Sequence, residues 1–371
     1  MRPAEAALIS AAGGLAVQNR AADVAALLAP WVEQVARGAD ASPAFRGVSF
    51  DLHCRALLSS RGHGEEVLAE LARLCSLSET CFGAQPWSDL YRACTRHLRG
   101  DWAGAVPLYR RAAAGIDILW PSSVGCRSVI DDAEAARWLD APADLPTPSP
   151  IDWLKETASA EFLIFLACDP SYLRLFWPGY ILSVAQQATN AAVHLHIVDA
   201  GPEDAGWAVE QAGLVAPRLS ISTERHAGRD ARAWYATARF VRLPEMLRHY
   251  GCPVLVTDID AAFSRALDPL IPDADVGLRV KRHGFRAHPW QTIQAGALAV
   301  RSTPRGQAFA DGLRLLGVGS FAARARANIR FVDQNMLWAA RRLLISGTDT
   351  RVADIGEEFL PGGLRFGKAL A

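Results

Sequence analysis

The residues best suited to chemistry are two aspartates one position apart in VLVTDIDAAF, residues 254 to 263, where an apolar run ends in Asp258 and Asp260. Side chains at i and i+2 of a strand leave the same face about 7 Å apart, so the two carboxylates are expected to project together while Ile259 turns toward a core. Carboxylates at the carboxyl end of a strand, where open α/β sheets take their ligands, suit a hard divalent cation that also holds substrate phosphates. An isolated D-x-D is ordinarily a solvated turn, so the neighbouring segments decide.

Upstream, YATARFVRLPEMLRHYGCP carries Phe240, Leu243, Leu247 and Tyr250 at helical spacing and then a Gly-Cys-Pro stop, which predicts helix, turn and strand in succession. A phosphatase of the haloacid dehalogenase type also opens with D-x-D, but it needs Thr or Val two residues after the second Asp, where this chain has Ala262. With Ala238, Arg239 and Phe240 ahead of Asp258 and Asp260, the unit resembles instead the GT-A class of nucleotide-sugar glycosyltransferases, most closely the family-eight type. Three further segments agree in order. FLIFLACDPSYLRLFWPGYILSVAQQATNAAVHLHIVDAG, residues 162 to 201, is similar to that family's opening of strand, Asp-x-x-Tyr, helix and a second strand ending in Asp-Ala-Gly. IQAGALAVRSTPRGQAFADGL places Ala295 and Gly296 as in the family's Asn-Ala-Gly, with Gln294 for the Asn. FVDQNML supplies Asp333 and Gln334, with Asn335 in place of a second Asp.

The resemblance covers residues 155 to 371 and rests on the order of its segments. It implies an α/β fold of the Rossmann-like GT-A kind, a nucleotide diphosphate sugar donor carrying UDP, Mn2+ or Mg2+ at Asp258 and Asp260, and hexosyl transfer with retention. Breaking the bond between anomeric carbon and phosphate leaves negative charge on the departing pyrophosphate, which a divalent ion neutralises as a Lewis acid. Asp260 is then the direct ligand, and Asp258 is shared between metal and ribose. Arg239 neutralises or orients the donor's phosphate or sugar, as a guanidinium fork does well, unless it is a surface helix arginine. Ala167, Cys168, Asp169 and Tyr172 match the nucleotide-base pocket, and Gln294, Ala295 and Gly296 the donor-sugar side. Asp169 would accept from the base and Tyr172 stack on it; the competing reading is a helix cap and a core aromatic. Asp333 and Gln334 match residues near the reacting sugar, Asp333 as a general base in an inverting scheme or a positioning group in a retaining one, and Gln334 as a neutral amide.

The chain departs from the family at its late metal-binding His. LRFGKALA keeps only Gly367 and Lys368 of that segment, and no histidine follows His288. The metal site therefore has two protein ligands, or recruits His283 or His288 from HGFRAHPW, or is degenerate; in the last case the chain is a sugar-nucleotide-binding or scaffold protein. His288 and Trp290 either line the sugar or acceptor site or are a loop His and a core Trp. A sugar-nucleotide pyrophosphorylase fits less well, since ACDPSYL offers no Gly-rich basic loop.

The elements before residue 139 read differently: alanine, leucine and arginine at helical spacing and almost no β-branched runs. YRACTRHLRGDWAGAVPLYRRAA is similar to a tetratricopeptide helix pair, and looser echoes with turns near Asn19, Gly62 and Gly100 suggest three hairpins. Stacked hairpins offer a concave face for a protein or peptide acceptor, or merely brace the rest. LDAPADLPTPSPID, residues 139 to 152, reads as a stiff proline-rich linker, and residues 153 to 371 as the transferase domain. Since each assigned chemical group follows the linker, that domain is expected to keep donor chemistry alone.

Length and composition accommodate this. A chain of 371 residues, 50% hydrophobic, is large enough for two domains. With 39 basic and 39 acidic side chains no net field draws it to nucleic acid or anionic lipid. Seven cysteines without a C-x-x-C pair suggest neither a zinc site nor a complete disulfide framework, and fit a reducing cytoplasm. No apolar run reaches the roughly 20 residues of a membrane span, and ALISAAGGLAV lacks the charge cluster and cleavage site of a leader peptide and continues as helix.

Overall fold

The computed structural model describes residues 1–118, 121–156, 160–188, 190–213, 218–226, 228, 231–263, 273–282, 284–323 and 331–356. Its contacts separate two compact units. The first is Met1–Asp131 with Arg282–Thr292 and Ile329–Phe331, and the second is the remainder. From the sequence the division is expected at residue 138 with a linker to 152; the contacts place it between Asp131 and Asp132 and give two later segments to the first unit.

The first unit is helical: α1 (Pro3–Val17), α2 (Ala21–Ala36), α3 (Pro43–Arg61), α4 (Glu65–Phe82), α5 (Pro86–Leu98) and α6 (Trp102–Ala112). The turns within the three pairs sit at Asn19, Gly62 and Gly100 with φ of 58°, 81° and 83°, the left-handed region that Gly enters freely and Asn tolerates. Each helix from α1 to α3 touches the next two along the chain, and α4 packs on α5, as stacked hairpins do. The core holds Leu28, Phe50, Leu71, Leu90, Tyr91 and Tyr109, and with them Phe285, Ala287 and Trp290 from the later segment; Phe331 packs against it. Thus Trp290 is a core residue, and the aromatic run in HGFRAHPW is explained by the core it enters.

The second unit begins with α7 (Asp132–Asp140), whose Trp138 lies against Gly319. An eight-stranded mixed sheet follows, ordered β1-β4-β3-β2-β5-β7-β6-β8. The strands are β1 (Asp152–Lys155), β2 (Phe162–Cys168), β3 (Ala191–Val198), β4 (Leu219–Glu224), β5 (Val254–Thr257), β6 (Val276–Val280), β7 (Ile293–Val300) and β8 (Val352–Asp354). The helices are α8 (Pro170–Gln187), α9 (Pro202–Gly213), α10 (Ala231–Val241), α11 (Leu243–Tyr250), α12 (Pro304–Ala323) and α13 (Val332–Ala340). Strands β4, β3, β2 and β5 are mutually parallel, whereas β7 runs antiparallel to β5 and β6. FLIFLAC, AAVHLHIV and VLVT are buried throughout, the near-continuous apolar runs of parallel strands covered on both faces. Ile164, Leu166, Val193 and Leu195 meet Leu173, Trp177 and Ala208 of α8 and α9. Ala167 and Val198, on the opposite side of the pleat, meet Trp234, Ala238 and Val318 of α10 and α12.

The chain runs from β2 outward to β3 and β4, then returns to the other side of β2 to form β5. Strand order therefore reverses between β2 and β5, and a crevice outside their carboxyl ends is where doubly wound sheets bind ligands. Cys168 ends one of these strands and Thr257 the other. The proline-rich stretch is tied down, with Arg242 Nη2 donating to Ser149 O at 2.5 Å. Among the described residues no helix is long and apolar enough to cross a membrane.

Candidate active site

Thr257 closes β5 with its Oγ1 2.5 Å from the Tyr180 hydroxyl of α8. Ser183, one turn further, donates to Tyr180 O at 2.7 Å and accepts from Phe263 N at 3.2 Å. The D-x-D segment is thereby held before and behind. Ile259 is buried, Asp260 exposed and Asp258 intermediate. The strand stops at Thr257, so the aspartates occupy a turn, with Ala261 N donating to Asp258 O at 3.4 Å, and the strand geometry expected from their i, i+2 spacing does not apply. They remain electrostatic neighbours: although the residue as a whole is exposed, partial desolvation of its carboxyl and then the Asp258 charge push Asp260 above its ordinary value, with Arg239 opposing.

Arg239 is not a surface residue. Its side chain is 3% exposed on α10, and Nη2 reaches Asp258 Oδ1 at 2.6 Å and Asp333 Oδ2 at 3.6 Å while donating to Ala295 O at 3.2 Å. One guanidinium gathers the D-x-D, Gln-Ala-Gly and Asp-Gln segments, which lie far apart in sequence. The middle segment gets there through a break in pairing. Continuing the β5–β7 register by one step sets Asp258 opposite Gly296, but on the other side Val280 pairs with Ile293 where unbroken register would give Gly296. Gln294, Ala295 and Gly296 thus form a bulge, a device common beside active sites. A Cβ on Gly296 would stand 3.1 Å from Asp258 Oδ2 and 3.3 Å from Arg279 Nη1, so the missing side chain lets carboxylate and guanidinium approach.

Asp333 stands in the first turn of α13, and its Oδ1 accepts from Gln334 N at 2.8 Å. Burial raises its pKa, Arg239 opposes and the Asp258 charge reinforces the rise. At the end of β2, Ala167 and Cys168 are buried, and desolvation holds the thiol well above its ordinary value, which leaves it inert as a nucleophile. Asp169 caps α8: Oδ1 accepts from Ser171 N at 2.8 Å, Ser171 Oγ at 2.5 Å and Tyr172 N at 3.2 Å, leaving Oδ2 outside the cap. Tyr172 is 50% exposed, with the Phe176 ring at 5.3 Å between centroids; it is not a core aromatic.

Two residues here escape a reading of the sequence. Arg279 is a buried charge in the apolar run of β6, signalled only by its place in DVGLRV. Asp199 follows β3 with φ of 62°, a conformation that non-glycine residues adopt mainly where surroundings hold them. Its Oδ1 accepts from His226 N at 2.8 Å and Oδ2 from the Tyr235 hydroxyl at 3.1 Å. Burial and then Asp199 raise the pKa of Tyr235, with Asp169 contributing, so carboxylates at the ends of β2 and β3 both act on this phenol. The Asp-Ala-Gly triplet was the sequence signal of Asp199.

The donor set fits a divalent cation. Asp258 and Asp260 are hard oxygen ligands, and desolvation followed by the Asp258 charge raises the pKa of Asp260, both of which a bound cation would offset. Among the described residues no group of three His, Cys, Asp or Glu side chains is gathered, so the complement would come from phosphate and water, as Mg2+ and Mn2+ prefer. His288 does not complete the set. It is fully buried in the helical core, stacked on Trp290 at 4.5 Å, and neither ring nitrogen has a hydrogen-bond partner; burial, then Arg55 and His97, hold it well below its ordinary pKa. His283, Gly367 and Lys368 lie outside the described residues.

No family model and no curated protein matches the chain. Among solved structures it is similar to the glycosyltransferase GlyE of Streptococcus pneumoniae TIGR4, with 14% identity over 54% of this chain, 46% of that chain and a TM-score of 0.37. Galactosyltransferase LgtC, solved with donor and acceptor sugar analogues, gives 15% identity over 48% and 69% of the two chains and a TM-score of 0.33. Mouse xyloside xylosyltransferase 1 gives 9% over 50% and 82%, with a TM-score of 0.34. The chain thus spans less than half the length of GlyE, and these three solved structures are glycosyltransferases.

Proposed function

We propose that the chain is a glycosyltransferase that moves a hexosyl group, with retention, from a nucleotide diphosphate donor carrying UDP. The observation that carries this reading is the convergence on Arg239 of Asp258, Asp333 and the Ala295 carbonyl, close to the point where strand order reverses. Held by Asp258 and Asp260, Mn2+ or Mg2+ would neutralise charge on the diphosphate leaving group. Arg239 supplies a fixed positive charge toward the same phosphates and orients Asp258 and Asp333. Asp333, with its raised pKa, positions hydroxyl groups of donor sugar and acceptor, and Gln334 adds a neutral amide. Gln294, Ala295 and Gly296 bring backbone close to the donor sugar. Tyr172 offers an exposed ring for the base, with Asp169 Oδ2 beside the cap.

The stacked hairpins suit selection of a protein or peptide acceptor, and seven free cysteines fit a reducing, cytoplasmic setting. Calorimetric titration of UDP and UDP-sugars with Mn2+, repeated with chelator, tests the reading: binding should require the metal, and donor hydrolysis should accompany it. Metal-independent binding without turnover would support a sugar-nucleotide-binding protein instead, a reading favoured by the two-carboxylate ligand set. Absence of nucleotide binding would overturn both.

A further inference from the structure

Two of the segments that meet on Arg239 are joined, within three residues, to side chains lodged in the helical core. Trp290 is fully buried there. It stacks on His288 and meets Tyr109 edge-on at 5.4 Å, and it packs so tightly on Gly125 that a Cβ at that glycine would lie 2.3 Å from the indole. Its neighbours are held too. Gln291 Oε1 accepts from Arg55 Nη1 at 3.4 Å, Arg55 lies 4.2 Å from the centre of the Phe285 ring, and Cys94 Sγ is 3.7 Å from Ala287 O. Two residues after Gln291, β7 begins, and the bulge Gln294-Ala295-Gly296 follows directly. The second case is Phe331, which packs against the same core with φ of 58° and is followed by Val332 and Asp333.

We propose that Trp290 and Phe331 are positioning residues of the active site: the helical core fixes the chain at Thr292–Ile293 and Phe331–Val332, and thereby sets the Ala295 carbonyl and the Asp333 carboxylate against Arg239. The inference rests on the site described above and needs only which residues share a core and which peptide bonds join them. Fewer than five residues separate each anchor from its site group, at most about 3.5 Å per residue, so a loosened anchor moves the group it precedes. The bulge is exposed to this because the regular β6–β7 pairing is interrupted there. Phe331 holds a left-handed conformation that costs a bulky side chain energy, and the packing of its ring compensates for that.

The test uses the full-length chain and hydrogen exchange read by mass spectrometry, which needs no ligand. Phe331→Gly relieves the backbone and removes the anchor; exchange across residues 332–340 should accelerate at least tenfold, with β2 and β3 unchanged, and UDP binding with Mn2+ should weaken at least fivefold. Trp290→Ala should do the same to residues 293–300, and Trp290→Phe should restore most of the protection. If Trp290→Ala fails to fold, Phe331→Gly decides alone. Unchanged exchange at residues 332–340 in Phe331→Gly would overturn the proposal. Failure of the parent chain to bind UDP would sink the functional reading and leave the exchange result standing.

Discussion

Arg239 holds two carboxylates and a carbonyl with one buried guanidinium, so replacing it has separable consequences. Arg239→Ala should weaken nucleotide-sugar binding by roughly 1.5 to 3 kcal/mol, the scale of a hydrogen bond to a charged group. It should lower stability by at most about 3 kcal/mol, the low end for a broken buried pair, because Asp258 is 36% exposed and partly solvated. Arg239→Lys restores charge without the planar fork and should recover only part of the binding; equal titrations for all three chains would remove Arg239 from the site. Asp260→Asn works in the opposite direction for stability. A carboxyl whose folded pKa is raised costs stability above that pKa, and the cost disappears as pH falls through it. The variant should therefore melt higher than the parent at pH 7, with the gap closing toward pH 4, while losing metal-dependent nucleotide binding. A lower melting temperature at pH 7 would contradict the raised pKa of Asp260. Arg239 and both aspartates were legible because they fall in a recognisable order of motifs. Arg279 and Asp199 were not, since the burial of a charged side chain and a positive φ arise from tertiary packing.

At the scale of elements, the buried parallel strands declare themselves as apolar runs. The bulge does not, because register belongs to a pair of strands and no single sequence shows it. The end of β5 was misplaced for a related reason: VLVTDID alternates plausibly, but the chain turns once Thr257 meets Tyr180. Two glycines separate packing from propensity. Gly296→Ala must displace Asp258 or Arg279 by a few tenths of an ångström, and metal-dependent UDP binding should weaken about tenfold, roughly 1.4 kcal/mol. Gly179→Ala lies in α8 with nothing within 4 Å of the added carbon, so it should raise stability by up to about 1 kcal/mol through helix propensity alone and leave binding unchanged. Chemical denaturation with calorimetry on both variants checks the pair, and equal binding losses would show that Gly296 has no special place beside Asp258.

At the scale of the whole molecule, buried histidines tie stability to pH. Burial lowers the pKa of His288, His194 and His53 from the ordinary 6.5, so the unfolded chain takes up protons that the folded chain refuses. Stability should be complete above pH 6.5 and fall as pH drops below it. His288→Phe should flatten that slope in urea midpoints at pH 5 and 7.5, and should cost nothing at pH 7.5 because it removes two buried nitrogens without partners. A steeper slope would mean that His288 is protonated in the folded core.

The sequence separated a helical half from an α/β half but offered no sign that residues 282–292 cross back into the helical core, because the aromatic run HGFRAHPW reads equally well as a site loop. That crossing changes what a truncation should do. With the assigned chemical groups all after the linker, a chain beginning at Ile151 was expected to keep donor chemistry. In the structure it would strip Phe285, Ala287, Trp290 and Phe331 of their core, with about 1.5 to 3 kcal/mol forfeited for each large apolar side chain returned to water and a new apolar patch exposed. The fragment should bind UDP with Mn2+ at least tenfold more weakly than the full chain even when β2, β3 and β5 remain protected from hydrogen exchange. Adding residues 1–131 in trans should restore part of the affinity. A monodisperse fragment that binds and hydrolyses the donor as the full chain does would confine the helical unit to acceptor selection, since its core would then be dispensable for the geometry around Arg239.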